Sequence, residues 1–479
     1  LKYNGVVLRG AGPSQTFIKN VTTNMHAKSV ILVGSYPMGL PDRGLGRALL
    51  QANLALPTTA LSVTAADTAK FAVGDWVVVN SDLTAPLIKS LGMTGKWKPN
   101  AFPWVSFIRQ ITGVNSRGVI VLDIPTRYPL LVRDRAQVYK INPPIQEAGI
   151  ENLSMGNVKN PSKKGWGEQD WRKPGTAAYQ VDDSALIRVS GTANSWIRNV
   201  KSYAPAGNGS IHMLSHGIRI MASVRNISII NVAMRNTQYK GGGGNGYGIS
   251  IRGGENLVQN AVVSNMRHNL AFQATAASGN VVLKGVLSNG RHYTETHVHF
   301  SPANLFDSVK ISGGEKLISE DRGDHGDSYH GLTSSQTVFW NTKGKGQVIS
   351  QQYGWGYVIG TAAGVSATTN GQGSNALTKP ADYIEGRGQG TTLRPQSLYL
   401  DQLARRLRTT AAAAPATLAL DNNATDDAQS TTDAISPDEQ ALLVEDAPAD
   451  DQSTGETPED APLNDGEPQG VEEADTVID

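Results

Sequence analysis

Apolar and polar residues alternate along this chain in short bursts rather than long runs. "GIENLSM" from Gly149, "WIRNVKS" from Trp196, "VRNISII" from Val224 and "LVQNAVV" from Leu257 all show the pattern. So do "VVLKGVL" from Val281, "LFDSVKI" from Leu305 and "TVFWNTK" from Thr337. A period of two predicts short strands with one buried face, each closed by turn residues. Superposing Asn199, Asn226, Asn260 and Lys284 gives steps of 27, 34 and 24 residues. Steps near ~25 residues fit the coils of a solenoid with loop insertions, whereas a propeller blade needs ~40. The predicted class is all-β, a right-handed parallel β-helix over residues 1–408, with asparagines stacked at a bend of successive coils.

Residues 57–130 break the rhythm. "FAVGDWVVVNSD" and "FIRQITGVNSRGVIVLDIPTRYPL" read as strand pairs of a small β insertion. Between them "KWKPNAFPW" either stacks sugar rings or packs its tryptophans against the helix flank. Leu400, Leu403 and Leu407 fall at i, i+3 and i+7, which predicts an amphipathic helix over 396–414 that caps the last coil and covers its edge.

Charge then divides the chain. Asp421 to Asp479 holds 19 acidic residues and no Lys or Arg, while the rest holds 23 acids against all 43 bases. The acidic segment, 415–479, is predicted to be a disordered tail, a spacer or a self-masking arm, since its composition cannot bury enough apolar surface. From Lys201 to Thr294 nine Lys or Arg accompany one acid, Glu255, a surface that attracts polyanions. No run approaches the ~18 to 20 apolar residues of a membrane span, and none is expected. The lack of cysteine removes disulfides, thiolate metal sites and a cysteine nucleophile. The sequence opens inside a strand-like stretch, "NGVVLRGAG", so any export signal is expected to have been removed or not to belong to this stretch.

Several stretches together look like secreted bacterial right-handed β-helix proteins of the pectate-lyase-like superfamily. They are "GVVLRGAGPSQTFI", the "RNV" and "RNI" rungs, "RHN" at 267–269, "NLFD" at 304–307, "HGLTSSQTVFWN" at 330–341 and "DYIEGRGQGTTLRPQSLYLDQLARRL" at 382–407. The resemblance implies a secreted or periplasmic bacterial protein acting on carbohydrate, most often a polysaccharide lyase or a glycoside hydrolase. A monomer is expected. Fold likeness alone does not choose the chemistry.

Histidine supplies the candidate chemistry. Eight of the nine histidines lie between His212 and His330, and "GRHYTETHVHF" at 290–300 holds three of them. His268 and His292 are 24 apart, and His299 and His325 are 26 apart, about one coil each. Equivalent positions on adjacent coils sit ~4.8 Å apart, so these imidazoles are expected to share a groove. Cleaving a uronic-acid polymer by β-elimination needs a cation on the carboxylate, a base for the C5 proton and an acid for the leaving oxygen. Imidazole suits the base, and arginine the carboxylate. The expected catalytic set is His268 or His299 as base, Arg267 and Arg291 on the carboxylate, and Tyr293 as acid. Asn269, His292, His297, His330, Arg235 and Arg252 are expected to bind the acidic polysaccharide.

A rival set lies in "EDRGDHGDSYHG" at 320–331. Asp321, Asp324 and Asp327 offer the paired carboxylates of a glycoside hydrolase, or with His325 a metal site. No cofactor is required, and Ca2+ is the candidate ligand of that loop; its spacing fits neither an EF-hand nor a zinc-protease motif. Aspartates bonding their own turn backbone are the structural alternative. "KGGGGNGYG" at 240–248 lacks the phosphate-loop Lys and Ser/Thr and reads as a flexible loop beside the groove. A non-catalytic glycan-binding β-helix, an adhesin or a phage-type receptor binder, is the alternative from a different class. Nucleic acid is not an expected partner, because aromatic residues are few and no recognition motif is present.

Overall fold

The period-two segments become rungs. Gly149 pairs with Trp196, Trp196 with Ser228, Ser228 with Leu257 and Leu257 with Val281, all in parallel. The ladder continues through Leu305, Val338, Tyr357 and Tyr383. The computed structural model describes residues 1–34, 45–322, 330–371 and 380–413, with side chains to residue 408. Within them the chain is a right-handed parallel β-helix. A 16-stranded sheet supplies two of its faces, and a nine-stranded sheet supplies the third. The expected acidic tail, 415–479, lies outside the described residues.

Between the first and second faces each coil turns through one residue with left-handed backbone. Asn152, Asn199, Asn231, Asn260, Lys284, Ser308 and Asn341 hold this place, with φ between 52° and 59°. Asparagine tolerates that conformation better than most residues, and its amide bridges rungs. Asn199 Nδ2 donates to Asn152 Oδ1 at 2.9 Å, and Asn260 Nδ2 to Asn231 Oδ1 at 3.0 Å. Asn226 belongs instead to a neighbouring turn, where it donates to Asn194 at 2.7 Å. The expected alignment was therefore out of phase at this coil. Asn226 lies near the start of the strand Arg225–Ile230 and Asn231 just past its end, and variable loops make spacing an ambiguous guide to phase.

Inside the helix, residues of equal register stack. Ile150, Ile197, Ile229, Val258, Val282, Phe306, Phe339 and Val358 form one such column, none more than 1% exposed. Each buried aliphatic of this size contributes about 1.5–3 kcal/mol. A second buried column is polar: Asn256 and Asn280 each donate Nδ2 to the next asparagine, ending at Asn304.

The insertion is larger than 57–130. Its six antiparallel strands run in the order Arg47–Leu49, Gln137–Ile141, Trp76–Asn80, Phe107–Asn115, Val119–Leu122 and Ala60–Ser62. The outer strand Arg47–Leu49 is three residues long, too short for periodicity to reveal. The insertion's core is continuous with Phe300 and Leu332 of the helix. Trp97 and Trp104 are 3% and 1% exposed, so they pack rather than stack sugars. Trp97 Nε1 donates to the His330 carbonyl at 3.1 Å, and the Trp104 ring stacks on Phe300. Glu255 pins the insertion from the helix side, accepting from Arg109 at 2.9 Å and Arg127 at 2.7 Å.

The predicted C-terminal helix is present at Leu398–Ala413. Its start is held by Asp307, which accepts from Ser397 Oγ and the Tyr399 amide, each at 2.7 Å. Leu400, at the end of this first turn, is 38% exposed.

Candidate active site

The third face carries a ladder of rings. Its strands His216–Ile220, Tyr247–Ile251 and His268–Phe272 begin at equivalent positions, with Tyr247 in register with His268. Ring centroids are 5.7 Å apart from His216 to Tyr247, 4.7 Å from Tyr247 to His268 and 5.3 Å from His268 to His292. Stacking follows from the rung spacing, because equal phase on parallel neighbours holds rings about 4.8 Å apart.

Beside this ladder the strand Thr294–Thr296 brings in Glu295, with His297 just beyond it. Glu295 Oε1 lies 3.0 Å from His268 Nδ1 and bonds His297 Nδ1. Arg322 Nη1 lies 2.7 Å from His297 Nδ1 and 3.6 Å from Glu295 Oε2. His330 meets His297 edge to face at 5.2 Å. With Nδ1 protonated His297 donates to Glu295, and with Nδ1 bare it accepts from Arg322.

Burial holds His268 well below the usual imidazole range; the Glu295 carboxylate opposes this and Arg267 reinforces it. The geometry agrees, because His268 Nδ1 donates to the Tyr293 carbonyl at 2.8 Å while Nε2 is buried without a hydrogen-bond partner. A proton on Nε2 would be an unpaired buried donor. His216 is likewise held well below by burial and by Arg188. His292, half-buried, is lowered by burial, then by Arg267 and Arg291. Burial raises the Tyr247 phenol to about 12, so it keeps its proton. His216, His268 and His292 are therefore held toward the neutral imidazole.

The expected residues divide. His268, His292, His297 and His330 come together, and Arg267 lies close enough to act on His216, His268 and His292. His268 is only 3% exposed, so it supports the site rather than meeting solvent. His299 stands apart from the ladder, its ring stacked on Phe102 of the insertion at 4.0 Å. Tyr293 contributes its carbonyl to His268, and its half-buried ring lies beneath Lys316 Nζ at 4.5 Å. Arg291 sits on the rim, paired with Glu168 at 3.0 Å and with the Lys240 carbonyl at 2.6 Å. Arg252 donates to Gln273 at 3.4 Å alongside the ladder. Arg235 lies on the second face, in the strand Ala233–Arg235, away from the third-face centre. Asn269 is fully buried and donates to the Ser288 carbonyl and to Glu315, which removes it from substrate contact.

Of the rival set, Asp321 is buried at 1% exposure in an isolated bridge with Leu332. Asp324, His325 and Asp327 lie outside the described residues. The glycine-rich loop is packed rather than loose: Gly242 donates to the Glu168 carbonyl, and a Cβ on Gly243 would come within 2.3 Å of the Trp171 ring.

His268, Glu295 and His297 bring ligand atoms within 4.8 Å of one another, the spacing of a metal site. Arg322 answers that geometry. Its guanidinium already sits 2.7 Å from His297 Nδ1, so a divalent ion there would meet a like charge at bonding distance. Arg322 brings a positive charge to this cluster.

The residues that sequence reasoning missed are Glu295, Arg322 and Tyr247. Glu295 was visible as the i−2 neighbour of His297, a spacing that shares one side of a strand. Arg322 and Tyr247 carry no local signal and need the register to find them.

No family model matches the chain, and no curated protein does. Among solved structures the chain is similar to the tailspike gp61 of Pseudomonas phage phi297, at 12% identity and a TM-score of 0.42, covering 78% of this chain and 56% of that one. It is also similar to the gp54 tailspike of Acinetobacter baumannii bacteriophage AP22, solved with an A. baumannii capsular saccharide. Here identity is 12% and the TM-score 0.38, over 80% and 62% of the two chains. A third is the tailspike gp49 of Pseudomonas phage LKA1, at 11% identity and a TM-score of 0.32, over 81% and 72%. The chain thus spans less than two thirds of the length of the first two.

Proposed function

We propose that this protein binds an acidic polysaccharide along the third face of its β-helix and cleaves it by β-elimination. The carrying observation is Glu295, which gathers His268, His297 and Arg322 around one buried carboxylate. In this reading His297, held through Nδ1 by Glu295, takes the C5 proton at Nε2. The C5–H electrons form the C4–C5 double bond, the C4–O bond breaks, and Tyr293 returns a proton to the leaving oxygen. Arg322 and Arg267 offset the uronate carboxylate. Arg252, Arg267 and Arg291 beside the ring ladder favour the approach of a polyanion.

Hydrolysis by paired carboxylates is less well supported, since the Glu295 oxygens are already committed to two imidazoles and a guanidinium. A non-catalytic glycan binder is the second reading, favoured by the 3% and 5% exposure of His268 and Glu295. Incubation with alginate, pectate, glucuronan and glycosaminoglycans separates the three. Ultraviolet absorbance of an unsaturated uronate supports the lyase. Reducing ends without that absorbance support a hydrolase, and retention without either supports a binder.

A further inference from the structure

Beneath the ring ladder, inside the helix, lies a carboxylate that the proposed chemistry does not use. Glu315 is 1% exposed, near core residues such as Leu317 of the following strand. A carboxyl group at such depth costs several kcal/mol unless it is hydrogen-bonded, and Glu315 is. Its Oε1 accepts from the Thr294 amide at 2.9 Å, and its Oε2 accepts from the Gly290 amide at 3.2 Å and from Asn269 Nδ2.

Those partners are the two ends of one turn and the residue after His268. The turn Gly290–Thr294 carries His292, whose ring stacks on His268, and Tyr293, whose carbonyl accepts from His268 Nδ1 at 2.8 Å. The turn is closed down onto the carboxylate. A Cβ on Gly290 would lie 2.8 Å from Glu315 Oε2 and 3.2 Å from Asn269 Nδ2.

We propose that Glu315 is a positioning residue of this site, fixing from inside the helix the turn that orients the His268 and His292 rings. The inference rests on reading that cluster as the functional site, but its geometry stands without a substrate. Burial raises Glu315 to about 7, opposed by hydrogen bonds from the Gly290 and Thr294 amides and Asn269. The charged and titratable groups around the turn are Arg267 and His268 on the preceding coil, Arg291, His292 and Glu295 on its own, and Lys316 beside Glu315. In Glu315→Gln one oxygen still accepts from Thr294, while the amide NH2 faces the donors of Gly290 and Asn269.

The test is a pH titration of the full chain labelled with 13C at histidine Cε1, followed by NMR, for wild type and Glu315→Gln. Burial holds His268 well below its ordinary value, and His292 and His297 beside it are present in both proteins, so the part of an inflection near 7 that Glu315→Gln removes reports the carboxylate. Wild type is expected to show that inflection at His268 and a component of it at His292. Glu315→Gln is expected to remove that part of it and displace both signals, leaving His26 and His212 in place. A Glu315→Gln or Glu315→Asp variant in which both signals keep their wild-type positions overturns the proposal, whether or not it melts earlier. Neither readout uses substrate, so the proposal and the lyase reading fail independently.

Discussion

His268 Nδ1 stands 3.0 Å from Glu295 Oε1, although the two residues belong to successive coils. The contact joins two strands of the third face, and through Glu295 it reaches His297 and Arg322. The proposed chemistry depends on this join. Glu295→Gln keeps the shape and removes the charge, so it is expected to lower kcat by at least ~10²-fold, within the range of a general-base contribution. His297→Gln should do the same. The double variant should lose little more than either alone, because residues that act as one unit are not additive. Steady-state rates on the polysaccharide that proves to be cleaved check this.

Acid should unfold the protein from a definite point. His216 and His268 are held well below their ordinary value by burial, so the unfolded chain takes up protons that the folded chain refuses. Stability from these groups is complete above about pH 6.5 and falls as the pH drops below it. Melting temperatures across that range should show the slope, and His216→Gln should flatten it. An unchanged slope would mean that His216 does not contribute.

Glu255 should matter far more than its exposed partner. Arg109, whose side chain is 2% exposed, is lowered to about 10 by burial, opposed by Glu255. Removing the carboxylate in Glu255→Ala leaves a buried guanidinium uncompensated and is expected to cost about 3–5 kcal/mol. Arg127, with a side chain 37% exposed, should cost no more than about 1 kcal/mol when replaced by alanine, as solvent screens such pairs. Urea unfolding of the two variants measures the contrast.

The buried asparagine column gives a smaller and more local effect. In Asn280→Ala the Asn256 side-chain donor and the amide of Asn256 lose their acceptor, Asn280 Oδ1. A loss of about 1–3 kcal/mol is expected for each unsatisfied buried group. Chemical denaturation monitored by circular dichroism checks it.

How much could be read from the sequence follows from what periodicity carries. The rungs were legible because period-two alternation is local, and the 24-residue step from His268 to His292 was legible because that coil carries no insertion. Asn226 was assigned to the wrong ladder because loop lengths vary upstream and two asparagines lie near the two ends of the same strand. The 57–130 insertion was seen, but two of its strands, Arg47–Leu49 and Gln137–Ile141, fall outside those bounds. His299 shared the density of its neighbours yet faces Phe102, since two residues beyond His297 the chain has left the strand for the insertion's core. Arg322 could not be found without register, because it reaches His297 only through the stacking of coils.

The central claim is elimination at the Glu295–His297 pair, and the mass of the cleaved ends tests it most directly. Mass spectrometry of products made by wild type and by His297→Gln should show fragments whose new non-reducing end is lighter by one water than the hydrolysis product, with none formed by the variant. New non-reducing ends of full hydrolytic mass, or cleavage that persists in His297→Gln, would contradict it.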